Sequence, residues 1–185
     1  MLFRDLSGDA SAGEVVAITG PNGSGKSTFL RILSGLIRPT AGQVTWNGSA
    51  ARELRHVVGL ASPELQLYGE LSALENLSFF SRLLGVGLSA DSLGERLVSL
   101  GLMERDHHKR VAVFSSGMKQ RLRLAFALLA SPVVLLLDEP GSNLDAEGNA
   151  AVRRVIGDQR KRGVTLVATN DPEEAALADR RIVLG

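Results

Sequence analysis

The chain has 185 residues, 44% of them hydrophobic, enough to bury one sizeable core and to favour a single domain. Its 21 basic and 20 acidic residues leave a net charge of +1, which speaks against a nucleic-acid or anionic-membrane binder and confines any bound polyanion to a small local site. Cysteine is absent, which excludes disulfides and thiolate metal sites; no apolar run approaches the ~20 residues that span a bilayer, so a soluble, cytoplasmic chain without direct membrane insertion is expected.

The first element is "VVAIT" (Val15 to Thr19), apolar on successive residues, the pattern of a strand buried on both faces. It runs into "GPNGSGKST": Gly20, Pro21, Asn22, Gly23, Ser24, Gly25, Lys26, Ser27 and Thr28. Gly20, four residues, Gly25, Lys26, Ser27 is the spacing of the phosphate-binding loop, whose mechanics are general, and it stands between a strand and the helical pattern "STFLRILSGL". Glycines let successive N–H groups turn into one concave nest, and the helix N-terminus adds about half a positive charge. Lys26 is then placed for β/γ-phosphate oxygens and Ser27 for Mg²⁺. A glycine-rich turn that happens to precede a lysine is the alternative, and it leaves the strand-and-helix context unexplained.

Next, "GQVTWNG" alternates around Trp46 and ends in Asn47-Gly48, predicting a small antiparallel element with Trp46 in the core. "VVGLA" (Val57 to Ala61) predicts another strand. From Gly69 to Phe114 the pattern is helical. "SALENLSFFSRLL" carries Ser72 and Glu75 at capping-box spacing ahead of Leu77, Phe80 and Leu84, and "SADS" leads into Leu93, Leu97 and Leu100. A helical lobe at approximately 70–125, inserted into the core of one domain spanning 1–185, is the expected organisation. In "FSSGMKQRLRLAFALLASP", Ser115, Ser116 and Gly117 open a helix; alone, they read as an N-cap as readily as an anion site.

"VVLLL" (Val133 to Leu137) is a third buried strand, and it ends in Asp138 and Glu139, where carboxylates of an open parallel sheet face the ligand crevice. Two acids there call for a cation: Mg²⁺ on Asp138, with Glu139 placed to deprotonate a water. "SNLD" (Ser142 to Asp145) follows, then the strand "VTLVAT", a helix start at Asp171-Pro172-Glu173-Glu174, and "RIVLG" as a last buried strand. The class is α/β with a mostly parallel sheet. His56, His107 and His108 lie in polar contexts and read as solvated, and Phe3 as a core residue.

In this order, the phosphate loop, helical lobe, Ser-Gly helix start, "LLLDEP" and "SNLD" resemble the nucleotide-binding subunit of ATP-binding-cassette transporters over nearly the whole chain. The resemblance implies a P-loop ATPase fold and two subunits, as a homo- or heterodimer, facing head to tail with two ATP molecules between them. Lys26, Ser27 and Asp138 would hold phosphates and Mg²⁺, and Glu139 would be the general base. Ser115, Ser116 and Gly117 would meet the γ-phosphate held by the opposite subunit, and Asp145 would communicate across the dimer. The helical lobe would dock a membrane permease, holding the chain at the inner face of the cell membrane. The compact form and the "GQVTWNG" and "SSGMKQRL" segments are similar to the haem-exporter-type ATPase of cytochrome c maturation.

Four departures qualify the likeness. Asn170 stands where the family has a histidine, and its amide neither carries charge nor shuttles a proton, so slow hydrolysis, or a degenerate module that binds ATP and dimerises, is the competing expectation. Pro63 occupies the place of the family's loop glutamine, with Gln66 three residues on. Ser116 and Met118 replace a glycine and a glutamine of the signature. The aromatic that stacks on adenine has no good counterpart, Phe3 reading as core.

Overall fold

A computed structural model describes residues 3–4, 6–53 and 55–185. Five strands, β1 (Val15–Thr19), β4 (Val58–Ala61), β5 (Val134–Asp138), β6 (Val164–Ala168) and β7 (Arg180–Val183), form one parallel sheet in the order β4-β5-β6-β1-β7. The consecutive apolar residues of β5 suit its interior place, between β4 and β6. Leu135 and Leu137 enter one core cluster, Val134 and Leu136 the other, so both faces of the strand are covered. The second cluster is closed by Leu30 and Leu33 of α1 (Lys26–Leu33). The first is closed by α2 (Ala73–Leu83), α3 (Ala90–Ser99), α4 (Ser116–Ala127) and α5 (Ala146–Gln159), through Leu77, Leu93, Leu97, Leu122 and Ile156 among others. A short α6 (Pro172–Ala175) precedes β7.

Local signals act as the sequence predicts. Ser72 and Glu75 make both bonds of a capping box, Glu75 N–H to Ser72 Oγ at 3.2 Å and Ser72 N–H to Glu75 Oε2 at 2.8 Å. The two-residue strands β2 (Thr45–Trp46) and β3 (Ser49–Ala50) pair antiparallel around Asn47 and Gly48, whose φ of 50° and 82° suit a type I′ turn. Trp46 lies against the second cluster and donates its Nε1–H to the Leu33 carbonyl at 3.0 Å, while Phe3 packs edge-on to Phe29.

Three expectations fail. β7 is an edge strand with Arg180, Arg181 and Val183 exposed, because it has a neighbour on one side only; Ile182 and the following Leu184 are what bind it to the core. His107 is buried, its Nε2 donating to the Leu102 carbonyl at 3.0 Å and its ring covering Gly94 of α3. Leu84, expected on the apolar stripe, is C-cap of α2 and exposed.

Candidate functional site

Parallel pairing places the C-terminal ends of β1, β4, β5 and β6 along one edge: Ala61 lies beside Leu137, Asp138 beside Ala168, and Ile18 beside Ala168. Whatever follows these strands is delivered there. After β1 comes the loop from Gly20 to Gly25. Gly20 passes so close to the chain end that a Cβ would stand 2.1 Å from the Leu184 carbonyl oxygen. Gly25 caps α1 at φ 98°, a left-handed geometry that turns the first N–H groups of the helix outward. No acidic residue stands in that first turn, so the helix N-terminus is left positive. Pro21, Asn22 and Gly23 are exposed, and Ser24 Oγ is buried without a hydrogen-bond partner, a polar orphan inside the nest.

Lys26 is buried, and its Nζ donates to the carbonyls of Gly20 at 2.9 Å and Pro21 at 3.3 Å. The partner that the sequence did not supply is the loop itself; among the described residues Lys26 has no carboxylate partner. Next to it the Ser27 hydroxyl stands close enough to Asp138 to lower its pKa, bringing the phosphate loop to the end of β5. Thr28 follows, half-buried, in the first turn.

Asp138 is buried, and burial raises its pKa against the lowering effects of Ser27, Ser62, Arg31 and Lys26. Ser62, just beyond β4, donates its hydroxyl to Asp138 Oδ2 at 3.4 Å. Glu139 sits at φ 47°, a strained backbone for a residue with a Cβ, while its N–H continues the β5–β6 ladder to the Ala168 carbonyl at 2.8 Å. Burial raises its pKa also, while the backbone N–H of Asn170 donates to its carboxylate. Asn170 in turn donates Nδ2–H to Asn22 Oδ1 at 2.7 Å, so the loop after β6, the acid after β5 and the phosphate loop form one chain of contacts. One carboxylate and two hydroxyls, Asp138 with Ser27 and Ser62, suit Mg²⁺, which takes few protein ligands and completes its shell with water and phosphate oxygen.

Gln120 and Glu174 escaped the sequence reading. Gln120 of α4 is buried and donates Nε2–H to the carbonyls of Glu139 and Pro140, each at 3.2 Å. Glu174, expected as an ordinary first-turn acid, accepts the Gly141 N–H at 2.6 Å; burial raises its pKa, and its second oxygen has no partner. The only sequence trace of Ser62 is that it ends a strand parallel to β5. Gln120 and Glu174 left none, because each acts on backbone far away in the chain.

Ser115, Ser116 and Gly117 are not brought to this cluster: among the described residues no hydrogen bond links them to the phosphate loop. Ser115 caps α4 by accepting the Met118 N–H at 3.2 Å, Ser116 is exposed, and Gly117 is buried against the Asn143 carbonyl. Asp145 caps α5, taking the Gly148 N–H at 2.7 Å and Arg121 Nη2 at 2.6 Å; the Gly148 bond is the main reason its pKa is lowered. Pro63 and Gln66 are both exposed, and Gln66 lines a groove of about 620 Å³ with Glu64, Leu67, Lys119 and Arg123.

The ABC transporter family model matches residues 3–142, and the chain belongs to that family. It is 38% identical over 171 residues to the lantibiotic transport ATP-binding protein SrtF of Streptococcus pyogenes, covering 91% of this chain and 73% of that protein. It is 36% identical over 175 residues to the cytochrome c biogenesis ATP-binding export protein CcmA of Cupriavidus necator, covering 92% and 77%. Among solved structures, the dimeric post-hydrolysis state of the ATP-binding cassette MJ0796 with ADP and Pi superposes with a TM-score of 0.86 at 28% identity, covering 94% of this chain and 82% of that one. The P-loop α/β fold is thus that of an ABC ATP-binding cassette. Among the described residues no helix is long and apolar enough to cross a membrane.

Proposed function

We propose that this cassette hydrolyses ATP as a dimer and drives a separate membrane permease, acting from the cytoplasmic face. The contact of Ser27 with Asp138 supports this most directly, since it joins phosphate loop and acidic strand end in one site. Lys26 exchanges the carbonyls of Gly20 and Pro21 for phosphate oxygens, and the N–H groups from the Gly25 cap through Thr28 close around them. Ser27 and Asp138 would hold Mg²⁺, which neutralises phosphate charge when bound. Glu139, made more basic by burial and aimed by the Asn170 N–H, takes the proton of the attacking water. Asn170 then donates an amide hydrogen toward the γ-phosphate once it leaves Asn22.

Residues 1–185 form one nucleotide-binding domain in this reading, with the segment at approximately 70–125 as its helical lobe. Ser115, Ser116 and Gly117 present an uncommitted helix start to the γ-phosphate held by the opposite subunit, and Asp145 lies behind them through Arg121. That MJ0796 is dimeric supports the arrangement, for a homo- or heterodimer. The permease contacts the lobe, where Tyr68, Phe79 and Leu83 are exposed beside the groove lined by Gln66 and Lys119. A haem-exporter-type role is supported by the likeness to CcmA and matched by the likeness to SrtF. Asn170 favours a second reading, a module that binds ATP and dimerises with little turnover.

Turnover of ATP by the purified protein and by Glu139→Gln tests the proposal. A parent no faster than the variant ends the enzyme reading, and calorimetry on Lys26→Ala showing undiminished nucleotide uptake ends the binding reading as well.

A further inference from the structure

At the other end of β5 from Asp138, a recess of about 230 Å³ lies between the C-terminal half of α3 and α5. Gln159 lines it and donates its Nε2–H to the Pro132 carbonyl at 2.8 Å, two residues before β5 begins. Leu100, Leu128, Ala151 and Val155 make its floor. Three arginines, Arg96, Arg154 and Arg162, line it with one carboxylate, Asp158. That carboxylate is engaged by Lys161 at 3.0 Å. Arg96 donates to the Leu128 carbonyl and Arg154 to the Ser99 carbonyl at 3.4 Å; among the described residues none of the three has a carboxylate partner.

This arrangement is expensive as it stands. Arg96 is half-buried, and its guanidinium is made less basic by burial, with the charge of Arg162 adding to the effect. A desolvated cation facing a like charge is relieved by an anion, and a guanidinium presents a planar fork that fits a phosphoryl or carboxylate group bidentately. Even with Asp158 counted against them, three arginines leave two positive charges, which a dianion neutralises and a single carboxylate does not. The volume falls below the about 300–1,000 Å³ of pockets that enclose drug-sized ligands, so what enters is a compact head rather than a whole nucleotide.

We propose that the recess between α3 and α5 is a second anion site, taking a phosphoryl dianion on Arg96, Arg154 and Arg162. It is separate from the phosphate loop, and it lies where the lobe meets the core: Arg96 reaches from α3 to the carboxyl end of α4, and Arg154 from α5 back to α3. A bound phosphoryl group bridges these elements.

Arginine side-chain NMR on the whole chain tests this with inorganic phosphate as the probe. The Nε–Hε signals of Arg96 and Arg162 shift saturably, and Arg154→Gln/Arg162→Gln, both on the surface, weakens the response about ten-fold or more, the loss of roughly 1.4 kcal/mol. Lys26→Ala, which disables the phosphate loop, leaves the response in place. A response that never saturates, or that vanishes with Lys26 and persists in the double variant, overturns the proposal. Sedimentation with phosphatidylcholine vesicles, with and without phosphatidic acid, identifies the source. Retention by phosphatidic acid that depends on Arg154 and Arg162 assigns a lipid headgroup, saturation by free phosphate without retention assigns a soluble ligand, and neither response overturns the site.

Discussion

Gly141→Ala probes the corner that carries Glu139. A Cβ there would stand 2.3 Å from Glu174 Oε1 and 2.6 Å from Asn149 Oδ1. Both are ends of side chains that can swing away, so the fold survives, but the carboxylate then loses the Gly141 N–H it accepts at 2.6 Å. A hydrogen bond to a charged group is worth ~1.5–3 kcal/mol, and replacing glycine returns ~0.4–1 kcal/mol by stiffening the unfolded chain. The net loss is about 1–2 kcal/mol, or a fall in Tm of roughly 2–8 °C for a chain of this length. Urea denaturation of Gly141→Ala, Glu174→Ala and the double variant closes a thermodynamic cycle, with coincident fluorescence and circular dichroism transitions checking two-state behaviour. Clash and hydrogen bond are one interaction, so the coupling reaches ~1 kcal/mol or more. ATP turnover falls with Gly141→Ala as well, because the corner loses the hold of Glu174 and keeps only those of Gln120 and of the backbone bonds of Glu139 to Ala168 and Ser142 among the described residues. Additivity within ~0.5 kcal/mol would show that Glu174 does not grip Gly141, and the account of this corner would be wrong.

Asn170→His introduces a group that can carry a proton and breaks the bond to Asn22, so ATP turnover is expected to rise, by up to about a hundred-fold; an unchanged or lower rate would contradict the proposal that Asn170 slows hydrolysis. Glu174→Gln keeps an acceptor for Gly141 and removes a buried charge. The folded pKa of Glu174 lies above its ordinary 4.5, so the parent loses stability as pH rises from there through the folded value, and the variant gains on it over that window. Parallel denaturation curves at all pH values would contradict the burial argument. Asn76 is fully buried and fastens the loop before α2, with Oδ1 accepting from Tyr68 N–H at 2.9 Å and Nδ2 donating to the carbonyls of Tyr68 at 3.0 Å and Ser72 at 2.9 Å. Asn76→Ala therefore costs at least ~2 kcal/mol, and amide exchange at Tyr68 quickens; an unchanged exchange rate would mean the loop is held by something else.

What could be read from the sequence was local in the chain. The strands around Ile18, Leu136 and Leu166 show themselves by consecutive apolar residues, the cap of α2 by Ser72 and Glu75, the hairpin by Asn47-Gly48, and the phosphate loop by its glycines. Each is a short-range rule acting on neighbours. The features that escaped are contacts between distant segments. His107 is flanked by charged residues yet turns inward to a carbonyl five residues back, and Glu174 looks like any helix-start acid until Gly141 is placed above it. Lys26 posed a different problem: its side chain curls onto carbonyls of its own loop, which composition cannot disclose.

The electrostatics of the strand edge explain why these long-range contacts exist. Asp138, Glu139 and Glu174 lie close together, and burial raises the pKa of all three. A fold selected for stability alone would not gather them, since each desolvated carboxylate disfavours its neighbours. They are held by Ser27 and Ser62 on Asp138, the Asn170 N–H on Glu139, and Thr169 and the Gly141 N–H on Glu174. Every one of these donors is neutral, and Lys26, whose charge lowers the pKa of Asp138 and Glu139, is itself hydrogen-bonded to Gly20 and Pro21. Buried carboxylates opposite a nest of N–H groups are an arrangement that a metal ion with an anion beyond it would relieve. Neutral donors fix the geometry of these carboxylates while cancelling little of their charge, which is what the proposed binding of a magnesium-bound phosphate would require.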